Sequence, residues 1–267
     1  MPRARGGAKM RRMSESEIEI EAVPCLKDNY AYVIARADSA DAYVVDPSEA
    51  DPVLAALDRR GLNLLGVLAT HHHADHVGGI PELLARASGG RAGAGIFVAG
   101  HALDRERIPG QTAFVEAPIG RFAPSGLTVF GRPLMAMHIP GHTRAAIAWG
   151  IPAVGDVPAD VFTGDTLFGA GCGRLFEGTP EQMFTSLKAL TALPPAARLW
   201  FGHEYTDSNL RFAATIEPDS AAITERRAHL TTPTTPTTVA LEQATNPFVR
   251  SRTVDELAAR RKAKDSF

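Results

Sequence analysis

The chain has 267 residues, 45% of them apolar, and its 28 basic and 30 acidic residues give a formal net charge of -2. That balance excludes a general polyanion binder, and no apolar run approaches the roughly 20 positions that a membrane helix needs. Cysteine occurs only at 25 and 172, which excludes a disulfide framework or a thiolate metal site and fits a reducing cytoplasm.

Residues 1–13 hold Arg3, Arg5, Lys9, Arg11 and Arg12 without an acid, and are expected to form a disordered basic extension. From 18 to 46, short alternating or apolar bursts at 18–23, 30–35 and 42–45 predict strands of an antiparallel or mixed sheet. Helical spacing at 52–60 and a continuous apolar run at 62–68 predict a βαβ element whose second strand is buried on both faces. A histidine-rich loop follows at 70–76, and 77–87 resumes as helix. Further strands are expected at 95–99, 127–130, 134–138, 145–151 and 161–163. Thr179, with Pro180 and Glu181-Gln182 behind it, caps a helix over 179–193. Residues 199–201 form the last expected strand. The pattern is then helical to about 229, is broken by the Thr/Pro run 231–238, and closes with a basic helix over 253–264. The expected fold is α/β (α+β), an αββα sandwich of two mixed sheets flanked by helices. A metal-binding domain over 14–203 is followed by a small helical subdomain over 204–267.

His71, His73, Asp75 and His76 crowd together directly after a buried strand. Imidazole and carboxylate donors suit zinc, iron or manganese. In extended chain, residues two apart face the same way, so His71 and His73 can share one ion while Asp75 and His76, past the bend, reach a second. His142, Asp165 and His203 stand at three more strand-to-loop junctions, each after an apolar run and a glycine. Singly, a Gly-His after a strand is more often a surface turn, and Gly-Asp-Thr reads as a plain N-cap or turn. Together, seven donors make two sites of three ligands with one bridging carboxylate, an open arrangement suited to catalysis.

The motifs Thr70-His71-x-His73-x-Asp75-His76, Gly141-His142-Thr143, Gly164-Asp165-Thr166-Leu167-Phe168 and Gly202-His203-Glu204-Tyr205 resemble the metallo-β-lactamase superfamily. Within it, 172–178, 202–206, 246–250 and 261–265 resemble the hydroxyacylglutathione hydrolase (glyoxalase II) family. The resemblance implies that His71, His73 and His142 hold one divalent ion, and Asp75, His76 and His203 another. Asp165 bridges them, and zinc is the expected metal, with iron or manganese as alternatives. It also implies hydrolysis of S-D-lactoylglutathione to glutathione and D-lactate by a hydroxide held between the ions, the second step of methylglyoxal detoxification, with Asp75 and Asp165 as catalytic groups. Arg174, Phe176, Tyr205, Arg261 and Lys264 fall at substrate-binding positions. Phe176 departs from a common tyrosine, which removes a hydrogen bond worth about 0.5–1.5 kcal/mol.

The alternative reading is another enzyme on the same scaffold, such as a persulfide dioxygenase or a different small thioester or lactone hydrolase. Asp165 stands where a lactamase usually has cysteine, and the acidic balance speaks against a nucleic-acid substrate. A non-catalytic metal-binding protein is the reading from another class. The expected partner is a small glutathione thioester, with no nucleic acid or membrane, and the expected state is a cytoplasmic monomer.

Overall fold

The computed structural model describes residues 18–87 and 95–267; the basic extension expected at 1–13 lies outside them. The first six strands form one mixed sheet in chain order. Strands β1 (Ile18–Cys25), β2 (Asn29–Arg36) and β3 (Asp41–Val45) pair antiparallel. Helix α1 (Ala50–Arg60), closed by Gly61 in the left-handed region, returns the chain to β4 (Asn63–Leu68), parallel to β3. This is the expected βαβ element.

The helix expected over 77–87 is two helices, α2 (Ala74–Val77) and α3 (Ile80–Ala87), broken at Gly78-Gly79. A Cβ on Gly79 would lie 2.6 Å from the backbone carbon of Glu49. Close approach of the loop after β3 therefore interrupts a pattern that looks continuous locally. Strands β5 (Phe97–His101) and β6 (Ala113–Val115) complete the sheet, both parallel to their neighbours.

The second sheet has the order β14-β13-β10-β9-β8-β7. Its strands are β7 (Ala123–Val129), β8 (Arg132–His138), β9 (Ile147–Ile151) and β10 (Asp160–Gly164), then β13 (Arg198–Phe201) and β14 (Thr237–Thr238). Between β10 and β13 lie a small hairpin, β11 (Leu167–Phe168) with β12 (Gly171–Cys172), and helix α4 (Pro180–Thr191). Residues 199–201 are thus not the last strand. Part of the Thr/Pro run forms β14 and pairs antiparallel with β13, a long-range contact that its threonines do not announce. Helices α5 (Thr206–Ile216), α6 (Ala221–Ala228), α7 (Val239–Thr245) and α8 (Val254–Asp265) pack beyond this sheet.

Side chains alternate between layers. In the first sheet Val33 and Val44 face α1 and α3 with Val53, Leu57 and Leu83. Their neighbours Tyr32, Ile34 and Val45 face the second sheet, where they meet Trp149, Phe162 and Trp200. The other face of that sheet packs Val161 and Leu199 against Leu187, Phe212, Phe248 and Leu257. The result is an αββα sandwich with helices added at its C-terminal end. Burying a side chain such as Phe162, fully enclosed here, contributes about 1.5–3 kcal/mol. Among the described residues the longest helices have 12 residues, and none is long and apolar enough to cross a membrane.

Candidate metal centre

Every predicted donor sits just past the end of a strand, at one edge of the sandwich. His71, His73, Asp75 and His76 follow β4, His142 follows β8, Asp165 follows β10 and His203 follows β13. Strand pairing therefore fixes the spacing of loops that are distant in sequence. Nδ1 of His73 lies 3.1 Å from Nε2 of His71 and 3.0 Å from Nε2 of His142. Oδ2 of Asp75 lies 3.3 Å from Nε2 of His203 and 3.9 Å from Nε2 of His76. Asp165 spans both groups, with Oδ1 3.2 Å from His76 Nε2, and Oδ2 3.3 Å from His203 Nε2 and 3.5 Å from His142 Nε2. Gly202 permits this closeness, since a Cβ there would come within 2.6 Å of His76 Cε1 and closer still to Asp165.

These donors fit divalent ions. Metal–nitrogen bonds of about 2.0–2.1 Å in a tetrahedral shell place ligand nitrogens about 3.3 Å apart, close to the spacing of the first histidine group. Three donor atoms in each group lie within 4.8 Å of one another. His76 Nε2 and Asp165 Oδ1 are buried with no hydrogen-bond partner, despite facing each other, as expected of groups that have a ligand to meet. Burial, reinforced by neighbouring imidazoles, lowers the pKa of His71 well below the usual histidine value and that of His73 to about 4. Both are thereby kept in the neutral, metal-binding form. In the second group burial opposes the charged forms, yet Asp165 and Asp46 hold His76 well above its usual value. Burial likewise pushes Asp165 up, but His76 and His203 draw it well below the carboxylate range. Carboxylates here face a place for positive charge.

A second ring of residues orients the donors and was not legible beforehand. Asp46, directly after β3, accepts the Thr70 N–H at 2.7 Å, the Thr70 hydroxyl at 2.6 Å and the His76 Nδ1–H at 2.9 Å. Asp28 lies 2.9 Å from His203 Nδ1, and Asn29 donates to the backbone and side chain of Asp75. Each carboxylate takes the ring nitrogen facing away from the centre and leaves Nε2 free to ligate. Asp28-Asn29 has the composition of a turn. The one available signal was a polar residue directly beyond an apolar run, as at Val44-Val45-Asp46.

The remaining predicted residues line a cleft of about 980 Å³ that also exposes His73, Asp75, His142, Asp165 and His203. The exposed Phe176 ring stands edge-on to His73 and His142, with centroids 5.6 and 5.3 Å apart. Tyr205 stacks on His203 at 4.7 Å. Arg174 lies mostly in solvent, 3.5 Å from Asp265. Arg261 is buried, its Nη1 donating to Cys172 O at 2.7 Å and its Nη2 to Asp265 at 3.0 Å, while its Nε is buried without a hydrogen-bond partner. Lys264 donates to Ser208, and burial beside Arg261 lowers its pKa to about 8. Cys25 and Cys172 are free and buried.

The αββα sandwich with two donor groups joined by one buried carboxylate defines the class of binuclear metallohydrolases. Residues 27–203 match the metallo-beta-lactamase superfamily, and residues 204–267 match the family described as hydroxyacylglutathione hydrolase C-terminus. A hydroxyacylglutathione hydrolase of a Synechococcus strain is 44% identical over 87% of this chain and 89% of its own. Another from Gloeobacter violaceus is 47% identical over 84% and 85%. Among solved structures, ETHE1 from Myxococcus xanthus shares the fold, with a TM-score of 0.64 and 23% identity over 91% of this chain and 90% of that one. The chain belongs to the hydroxyacylglutathione hydrolase family of the metallo-β-lactamase superfamily.

Proposed function

We infer that this enzyme hydrolyses 2-hydroxyacyl thioesters of glutathione, S-D-lactoylglutathione among them, to glutathione and the free hydroxy acid. The observation that carries the reading is Asp165, whose carboxylate reaches donors of both groups inside a cleft that also holds Arg174 and Lys264. His71, His73 and His142 would hold one ion, Asp75, His76 and His203 the other, and Asp165 would touch both. Zinc is the proposed metal. When bound, such a pair polarises a carbonyl and makes water acidic enough to ionise near neutral pH.

The chain's own residues do the rest. A hydrogen bond from His203 holds Asp75 well below the usual carboxylate range, against burial, which keeps it ionised as a ligand; its place in the cleft is what makes it the proposed acceptor of the proton released on attack. Phe168 and Phe176 wall the cleft with apolar surface, which strengthens the electrostatics inside it. The departing thiolate, with a thiol pKa of about 8.5, needs little protonation. Glutathione carries two carboxylates, and Arg174, Lys264 and the Tyr205 hydroxyl are the groups proposed to meet them. In this assignment residues 14–203 form the metal-binding domain, and 204–267 the subdomain that brings Tyr205, Arg261 and Lys264 to the cleft.

The test is a substrate comparison with metal-loaded protein: S-D-lactoylglutathione, glutathione persulfide and a β-lactam, each beside an Asp165→Ala variant. Fast loss of thioester absorbance that collapses in the variant is the expected result. Turnover of the persulfide or the lactam in its place would overturn the assignment.

A further inference from the structure

The Arg174–Gly178 segment does more than present Arg174 and Phe176 to the cleft. Its backbone runs along the loop that carries His142. The carbonyl of Arg174 lies 2.9 Å from His142 Nδ1, and the N–H groups of Phe176 and Glu177 donate to His142 O at 3.2 and 3.3 Å. The Glu177 side chain then folds back over the same loop. Its Oε2 accepts the Arg144 N–H at 2.9 Å, and both its oxygens meet the Arg107 guanidinium. Arg107 in turn contacts the His72 ring and Asp104, and the fully buried Asp104 lies 3.2 Å from His72 Nδ1. His72 stands between two of the three histidines of the first donor group. Glu177 is mostly buried, and its carboxyl is held low, to about 2, by Arg107.

We propose that Glu177, paired with Arg107, is a positioning residue that locks the His71–His73 loop to the His142 loop and thereby sets the first metal site, leaving the second to its own partners. The second site does not lean on the Glu177–Arg107 pair. The second is oriented by Asp46, Asp28 and Asn29, none of which touches Glu177 or Arg107. Among the described residues, the first is supported by the Arg174 carbonyl on His142 and the Thr70 hydroxyl on His71, the latter held in turn by Asp46, which thus serves both sites. Loosening Glu177 frees the segment that supplies that carbonyl. Outer partners of ligating histidines typically control about 10- to 100-fold in metal affinity. The proposal rests on the binuclear reading above.

The experiment uses the holoprotein and follows the release of its ions to a chromophoric chelator, with kcat and KM for S-D-lactoylglutathione measured alongside. Glu177→Gln, Arg107→Met and the double variant are compared with wild type. The expected result is that each single variant loses one ion about 10- to 100-fold faster, while the other leaves at the wild-type rate. In the same variants kcat falls with KM little changed, and the double variant is no worse than either single one. Wild-type release of both ions from either variant overturns the proposal, as does equal acceleration of both ions with a lowered melting temperature. A wild-type protein that binds fewer than two ions overturns the binuclear reading itself, a failure visible before any variant is made. Should Glu177→Gln fail to fold, Arg107→Met decides alone, since its exposed guanidinium removes less packing.

Discussion

Replacing Asp46 with asparagine changes one atom's chemistry and almost no volume, yet it should weaken one of the two proposed metal sites. A carboxylate only accepts hydrogen bonds, so the three groups around Asp46 all donate to it: the Thr70 N–H at 2.7 Å, the Thr70 hydroxyl at 2.6 Å and the His76 Nδ1–H at 2.9 Å. Asparagine offers one oxygen and one NH₂. With its oxygen toward the Thr70 N–H, its NH₂ faces the Thr70 hydroxyl, which can rotate to accept, and His76 Nδ1, which can accept only if the ring proton moves to Nε2. With the amide turned round, the backbone N–H of Thr70 opposes an NH₂, and a backbone amide has no other tautomer. The first orientation wins, and it places a proton on the nitrogen that ligates. An opposed or unsatisfied buried donor costs about 1–3 kcal/mol, and at 1.4 kcal/mol per factor of ten this weakens the second ion roughly 5- to 150-fold. Competition titration against a chelator measures it. One ion should keep wild-type affinity while the other falls within that range. Unchanged affinity of both ions in Asp46→Asn would refute the reasoning.

Gly202→Ala would push a methyl group to within 2.6 Å of His76 Cε1; overpacking of this kind costs about 1–3 kcal/mol, and both the melting temperature and kcat should drop, whereas an unaltered enzyme would show that the site has slack. Lys264, with its pKa lowered to about 8, is charged below that pH and neutral above it. KM for the glutathione thioester should therefore rise as pH passes through 8, by roughly fivefold for a contact of about 1 kcal/mol, and Lys264→Met should flatten the profile. Glu242 is wholly buried, accepts the Ala170 N–H at 2.8 Å and pairs with Arg226 at 2.9 Å. Glu242→Ala strands that cation and should cost about 3–5 kcal/mol in urea unfolding; a loss below 1 kcal/mol would contradict it. Chelator treatment should abolish turnover and lower the melting temperature, because ions that bind only the folded state stabilise it.

The layers and the donor set were legible because each rests on local pattern. Apolar alternation marked the strands, Thr179 before Pro180 marked a helix N-cap, which the structure makes as a capping box with Gln182, and histidines beyond apolar runs marked the edge where loops converge. What stayed hidden depends on contacts distant in sequence. Gly78-Gly79 breaks a helix because the loop at Glu49 lies against it. Thr237–Thr238 becomes a strand because β13 offers it an edge. Asp28 and Asp46 have the composition of turn residues until folding brings His203 and His76 beside them. Arg261 sits in a run of helix cations, and only the packing of α8 on Cys172 makes it a buried residue that donates to a backbone carbonyl. Charge and spacing identify which residue types gather; the register of distant strands decides which atoms face one another.

The most direct test of the central claim joins the metal count to the chemistry. Metal-free protein would be titrated with zinc while S-D-lactoylglutathione hydrolysis is followed in the same solution. The account predicts that turnover appears with the second equivalent and levels off at two ions per chain. Full activity at one equivalent, or none at two, would contradict it.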